Sequence, residues 1–413
     1  MSQTTNVQQG NGKKNYSLMT IILFWCGMVI MTSMYITIPL ADVFTRAFQI
    51  SPAQAAWIGS SFSLCYALGC LLYGPFSDRY GRKIFLVASI TGLTLVTLVI
   101  GFVESYYGLI LLRGLQGLVA AAFAPISLVY AGEMFPAHKR LTAVGFISTG
   151  LLMAGIVGQV FSGLVNEYWG WHGIFIILGI LYGITAVIVI SLLPKDELHR
   201  PKENVLLKFK QMTGLLKQTQ LLAAFAITFV LLLSLVGMYT VLGSYLSSDK
   251  FGLSAQAILT IRAAGIAGML LSPFAGRIAG RLGMAAVLRG GLAIAAAGLL
   301  GLSLSPGLPA IILMSVVFVA GIALVTPVNI SIVSQLGGHA RGSAISFNAF
   351  ILFLGASTGP IIALRLLKTG NYALSFGILG SIMTAGFLVS LLLQVPSGRL
   401  AKSEQASVVP AKQ

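Results

Sequence analysis

Charge is scarce in this sequence. Only 9% of its 413 residues are Asp, Glu, Lys or Arg, against about 25% in a soluble domain. That excludes a soluble globular protein, and it excludes a disordered chain, which stays solvated through its charge. Acids are the scarcest of all, ten Asp and Glu against 26 Lys and Arg, and none of the ten falls at the midpoint of a long apolar run. The three cysteines, Cys26, Cys65 and Cys70, all lie inside apolar runs. They read as small buried apolar residues rather than as disulfide or metal-ligating thiols. None of the four histidines lies mid-run. With no cluster of acid–base or metal-ligating residues, no catalytic residue, metal site or cofactor is expected, and the chain does not read as an enzyme. The period-2 alternation of a membrane barrel is missing as well.

What is present is apolar length. Hydrophobic residues make up 57% of the chain, in runs of about 20, the span of a bilayer core. Twelve runs are expected to be helices, over 16–40, 53–73, 84–103, 109–131, 141–165, 171–193, 220–246, 255–275, 284–304, 309–335, 343–367 and 372–393. The fold class is therefore an all-α membrane protein. Residues 1–15 read as a polar tail, 16–193 as a first six-helix bundle, 194–219 as a polar linker, 220–393 as a second bundle and 394–413 as a second polar tail. The first apolar run is too long for a cleaved signal and is expected to stay as the first span.

The net charge of +16 does not read as a nucleic-acid surface, because its distribution follows the membrane. On this topology Arg46, Lys250, Arg365 and Lys368 fall on one side and Arg113 and Arg262 within spans; the remaining Lys and Arg gather on the other side. Such an asymmetry marks the cytoplasmic face and places both termini there. Trp57, Trp169 and Trp171 sit at far ends of spans, as interfacial anchors do.

The halves repeat. Ala53-Gln54-Ala55 recurs as Ala255-Gln256-Ala257, and Pro125 as Pro327, both at an offset of 202. At that offset Gly74-x-x-x-Asp78-Arg79-x-Gly81 recurs as Gly276-x-x-x-Gly280-Arg281-x-Gly283, so the second copy lacks the carboxylate. His138 and Arg140 recur as His339 and Arg341, 201 residues on. Two pseudo-symmetric bundles are what a transporter built from repeats requires.

The segment between the second and third runs, Gly74 to Lys83, reads as a short charged turn. Its pattern Gly74-x-x-x-Asp78-Arg79-x-Gly81-Arg82-Lys83 resembles the signature between helices 2 and 3 of the major facilitator superfamily. A second likeness lies in the fourth run, where Arg113-Gly114-Leu115-Gln116-Gly117 resembles the Arg-x-x-Gln-Gly motif of proton-coupled antiporters in that superfamily. The resemblance covers nearly the whole chain and points to the drug and sugar efflux branch. It implies the twelve-helix fold, alternating access and a latch in which Asp78 meets the start of helix 11 near Gly342-Ser343. It also implies that Arg113, with Gln116 and Gly117, carries proton coupling. Two departures weaken the likeness: Gly158-Gln159 stands where those antiporters have Gly-Pro in helix 5, although Gly359-Pro360 occurs in helix 11, and His172 follows Trp171 where the family often has Arg.

An intramembrane guanidinium costs roughly 3 kcal/mol on insertion scales and should face the bundle interior or water. Arg113 and Arg262 are both of this kind, and if both reach a central cavity an anionic substrate follows. Asp42, at the outer end of helix 1, is the remaining titratable candidate for proton coupling. Polar residues at mid-depth, Tyr35, Tyr66, Tyr239, Asn329 and Asn348, are candidates for the cavity wall. Gly155 and Gly158, with Gly359 and Pro360, are expected to serve helix packing.

The function expected is secondary active transport, as proton-coupled efflux of a small organic compound such as a drug, sugar or organic anion. The alternative on the same fold is a proton-coupled uptake symporter of a small anion or nutrient. The partners expected are that small molecule, protons and the lipid bilayer of the cell membrane, with no nucleic acid and a monomeric chain. A membrane-embedded sensor or enzyme would need an appended domain or a reactive cluster.

Overall fold

A computed structural model of the chain describes residues 15–196 and 214–395. Both expected tails, save for Asn15, Gln394 and Val395, and most of the expected linker lie outside those residues. Among the described residues there are helices and no strands. The reason is the solvent: in hydrocarbon every backbone N–H and C=O must be satisfied within the segment, and a helix does this residue by residue.

Eleven helical segments among the described residues are long and apolar enough to span a membrane. One of them, Ala137–Leu192, is two helices joined across a kink at Gly170 (φ 66°, ψ 179°), which makes twelve crossings. They are α1 (Tyr16–Leu40), α2 (Pro52–Tyr80), α3 (Arg82–Ile100), α4 (Tyr106–Met134), α5 and α6 (137–169 and 171–192), α7 (Thr219–Ser247), α8 (Gln256–Leu282), α9 (Met284–Leu304), α10 (Leu308–Leu336), α11 (Arg341–Leu367) and α12 (Tyr372–Leu392). Helix starts carry the side chains that satisfy free N–H groups. Ser51 and Gln54 form a reciprocal capping box at α2 with Pro52 in its first turn, and Ser105, Ser254 and Asn371 cap α4, the helix that opens α8 and α12.

Several boundaries differ from expectation. The Gly74–Lys83 segment is not a turn: α2 continues through Asp78 to Tyr80, and the chain reverses at the single residue Gly81, whose φ of 104° suits only glycine. Gly283, its repeat partner, does the same between α8 and α9 with φ 88°. The expected turn at 104–108 is shorter, since α4 begins at Tyr106. The loop holding Asp42 and Arg46 is a short helix, Ala41–Phe48. The loop expected between α5 and α6 shrinks to Gly170, whose positive φ ends one helix and starts the next.

The buried apolar residues form two clusters, one drawn mainly from α1–α6 and the other from α7–α12. Ile330, Ile345, Ala349 and Phe353 of the second half join the first cluster, and Ile156 of the first joins the second. These exchanged residues mark the seam between the halves, where the site lies.

Candidate functional site

At the seam α1, α4, α5, α7, α10 and α11 line a cavity. Its wall is made of Met31, Ala124, Leu128, Leu151, Leu152, Leu231, Leu232, Ile322, Ile330, Ile345, Ala349, Leu352 and Phe353, with four polar residues, Tyr35, Ser148, Thr326 and Asn348. Among the described residues no charged side chain lines it. Tyr35 enters from α1 over a bed of small residues: a Cβ on Gly155 would lie 3.6 Å from its ring, and one on Gly158 3.0 Å from the Thr32 carbonyl oxygen. Gly359, one residue before Pro360 within α11, seats α11 against α7 in the corresponding way: a Cβ there would lie 3.1 Å from the Gly237 nitrogen.

Asn348 is held from behind. Its Oδ1 accepts from the Thr228 hydroxyl at 2.6 Å, and Asn329 Nδ2 donates to the same hydroxyl at 2.8 Å and to the Ala224 carbonyl at 3.0 Å. This aims the Asn348 amide nitrogen, which makes no protein hydrogen bond among the described residues, at the cavity. The Ser148 hydroxyl is buried and likewise unpaired, and the Tyr35 hydroxyl has no protein partner among the described residues. Three unpaired polar groups in an apolar wall are the kind of arrangement that orients a largely nonpolar ligand. Of the residues expected here, Tyr35 and Asn348 line the cavity, while Asn329 supports Asn348 from the second row. Tyr66 packs on Phe353 with ring centroids 4.3 Å apart, its hydroxyl buried and unpaired.

The two intramembrane arginines lie elsewhere, so the condition attached to an anionic substrate is not met in this structure. Arg113 is fully buried within the first bundle. Its Nε donates to the Ile58 carbonyl at 3.2 Å, and its Nη1 to the Ser33 carbonyl at 2.9 Å and to Gln116 Oε1 at 2.6 Å. Its plane lies 4.5 Å from the centre of the Phe62 ring. Gln116 Nε2 passes the chain on to Thr97 Oγ1 at 2.7 Å, and Ser33 Oγ bonds the Tyr182 hydroxyl. Gly117 lets α4 meet α2, since a Cβ there would lie 2.9 Å from Phe62 Cα. Arg113 thus ties α1, α2 and α4 together through neutral groups. Arg262 lies toward the face opposite Arg79 and Lys83: Nη2 donates to the Tyr239 carbonyl at 2.8 Å, and Nη1 reaches Gln159 Oε1 of the other half at 3.5 Å. Tyr239 supplies that carbonyl and keeps its hydroxyl buried and unpaired. Asp42 is exposed, on the short helix after α1.

On the basic face, which carries Arg79, Lys83 and Arg140, the halves meet backbone to backbone. A Cβ on Gly74 would lie 2.7 Å from Ser346 Cβ and 3.2 Å from the Gly342 oxygen, which sets α2 on the start of α11. A Cβ on Gly145 would lie 2.9 Å from Pro273 Cα, and one on Gly276 2.9 Å from the Thr142 nitrogen, which sets α5 on α8. The Ser272 hydroxyl donates to the Gly145 carbonyl at 3.0 Å across this contact. These contacts bring the halves together on this face.

Beside these contacts, Arg82 is 3% exposed and forks onto Glu133, with Nη2 to Oε1 at 2.9 Å and Nε to Oε2 at 3.3 Å, while Nη1 donates to Ser77 Oγ at 2.6 Å. The backbone N–H groups of Arg82 and Lys83 donate to the Asp196 carboxylate at 2.8 and 3.3 Å. Lys83 Nζ donates to the Ile190 carbonyl at 2.9 Å, near the end of α6, and Arg79 is exposed. The side chain of Asp78 lies outside the described residues. Sequence reading missed Asp196 and the roles of Glu133, Ser148 and Phe353. Asp196 carried one signal: it is an acid just past α6, placed where α3 starts with a glycine that cannot cap it. Asp196→Ala should therefore cost about 1 kcal/mol, read as a lower thermal midpoint in detergent; an unchanged midpoint would show that water caps α3 as well.

The chain matches the Major Facilitator Superfamily over residues 23–360. It is 29% identical over 400 residues to the uncharacterized MFS-type transporter YybF of Bacillus subtilis, covering 95% of each chain. It is 23% identical over 408 residues to the multidrug resistance protein MdtG of Klebsiella pneumoniae, covering 96% of this chain and 98% of that one. Among solved structures, the proton:xylose symporter XylE bound to 6-bromo-6-deoxy-D-glucose superposes with a TM-score of 0.74 over 92% of this chain and 96% of that one, at 17% identity, which is a likeness of fold alone.

Proposed function

This chain belongs to the Major Facilitator Superfamily, and from that premise we propose that it exports a small, largely apolar, uncharged organic compound in exchange for protons. It is a multi-pass membrane transporter and not an enzyme. The observation that carries the finer reading is the wall of the central cavity. Among the described residues that wall has no charge, and three unpaired polar groups sit in a lining of Leu, Ile, Met and Phe. A carboxylate or a cation would enter it without a partner and lose its hydration, at a cost of several kcal/mol. A nonpolar compound with one hydrogen-bond acceptor would meet the Asn348 amide. The likeness to a multidrug resistance protein supports export of this class.

The transport path opens alternately to each face as the two halves rock about the cavity. The basic face is the cytoplasmic one, the protein sits in the cell membrane as a monomer, and the present state is closed to the cytoplasm. Asp78, one turn beyond Gly74 at the α2–α11 contact, latches that closure. Proton coupling belongs to the Arg113–Gln116 chain, which reaches Ser33 and Tyr182 with no carboxylate among its partners in the described residues.

The test is transport in proteoliposomes under an imposed pH gradient, with a neutral lipophilic compound and its carboxylate analogue in parallel. The neutral compound should move against its gradient, opposite in direction to protons, and the carboxylate should not. Asn348→Leu should lower that transport about tenfold, the worth of one hydrogen bond to a neutral group. Arg113→Gln should keep counterflow exchange while losing gradient-driven accumulation. Transport of the carboxylate alone, or movement of substrate and protons in one direction, would overturn the reading.

A further inference from the structure

Beyond the central cavity, a second cavity lies between the halves at the basic face. Arg140 and Arg341 both line it, with Ser331, Ser334 and Gln335. The two arginines are repeat partners, 201 residues apart, so the cavity straddles the pseudo-symmetric seam. Each guanidinium is anchored by its Nε alone, Arg140 to the Phe135 carbonyl at 2.7 Å and Arg341 to the Ser334 carbonyl at 3.3 Å. Among the described residues no Nη nitrogen of either has a hydrogen-bond partner, and neither arginine has a carboxylate partner.

Arg140 is exposed and Arg341 half-buried, and the two like charges line one cavity across the seam. Each also sits in the first turn of a long helix, α5 or α11, where the helix dipole is positive and favours anions. No Asp or Glu occurs between Asp249 and Glu404, and Glu133, the acid close by in the chain, is engaged by Arg82. Two forked guanidiniums, two helix N-termini and nearby hydroxyls together match a tetrahedral oxyanion.

We propose that Arg140 and Arg341 bind a phosphate group between the two halves at this mouth, and that its binding favours the state closed on the basic face. The phosphate belongs either to a free anion or to the headgroup of an anionic lipid. The binding part stands on the geometry alone; only the effect on closure rests on the alternating-access reading.

The experiment uses the full chain purified in a nonionic detergent. Its thermal midpoint is followed against inorganic phosphate at constant ionic strength, and separately in nanodiscs of phosphatidylglycerol or of phosphatidylcholine. Wild type should show a saturable rise with phosphate, or a higher midpoint in phosphatidylglycerol than in phosphatidylcholine. The first result assigns the free anion and the second the headgroup. Arg140→Gln and Arg341→Gln should each raise the half-saturating phosphate concentration, or weaken the lipid effect, roughly tenfold or more, as loss of a charge-assisted contact does. Arg341→Glu places a carboxylate opposite Arg140; it should raise the midpoint without phosphate and abolish the response, and this gain sets a lost site apart from a misfolded variant. No response in wild type, or an undiminished response in both glutamine variants, overturns the proposal. None of these readings depends on transport, so they stand or fall separately from the export reaction.

Discussion

Gly145→Val should reduce transport about fivefold or more while leaving the fold intact. A Cβ at this position meets only backbone of the opposite half, Pro273 Cα at 2.9 Å and the Ser272 carbonyl carbon at 3.0 Å. Ordinary carbon contacts need about 3.5–4.0 Å. A side chain could rotate away from such a clash, but a backbone can only retreat with its whole helix. The overpacking cost of about 1–3 kcal/mol therefore falls on the state in which α5 and α8 touch, and that state becomes about five- to a hundredfold less populated. Each bundle keeps its own core, so the thermal midpoint should change little. A cysteine at Ser148, in a background lacking Cys26, Cys65 and Cys70, should become more reactive to a reagent applied from the basic face. Gly163→Ala is the control, because nothing lies within 4 Å of its added Cβ. Transport within twofold of wild type for Gly145→Val would mean that the contact is not part of the working cycle.

The second large effect is on stability. Arg82 and Glu133 have side chains only 4% and 15% exposed, and their fork joins the start of α3 to the end of α4. Removing the carboxylate takes the fork's two charge-assisted bonds from a buried guanidinium, which costs up to about 3–5 kcal/mol. Glu133→Ala should therefore lower the unfolding midpoint in detergent by far more than Asp196→Ala. Arg82→Lys should recover only part of the wild-type value, because an ammonium cannot bond both carboxylate oxygens and Ser77 Oγ in one plane. A Glu133→Ala protein as stable as wild type would show that the fork contributes nothing net at this depth.

The residues that were legible beforehand share a trait: each breaks a local rule. Gly81 and Gly283 stood out as the ends of two matching motifs, and both are positive-φ reversals. Arg113 stood out as a charge inside an apolar run, and it is buried. Arg262 stood out for the same reason, yet its guanidinium is a strut to Gln159 at the far face rather than part of the cavity wall. Ser148 and Thr326 obey every local rule of a membrane helix, and so their place on the cavity passed unseen. Asn348 and Asn329 looked alike in the sequence, yet one faces the cavity and the other supports it.

By itself, the amino-acid order determined the class, the twelve crossings and the two-fold repetition. These depend on the length of apolar runs and on copied spacing, which are properties of the chain taken one segment at a time. Only the tertiary structure decided which faces of those runs meet each other, which line the cavity and which charges stay out of it. The physical reason is that lipid tails and helix neighbours are equally apolar, so a spanning helix carries no stripe that tells one from the other. Facing is settled by close backbone approach at glycines such as Gly74, Gly145 and Gly359, and that exists only once the second helix is in place.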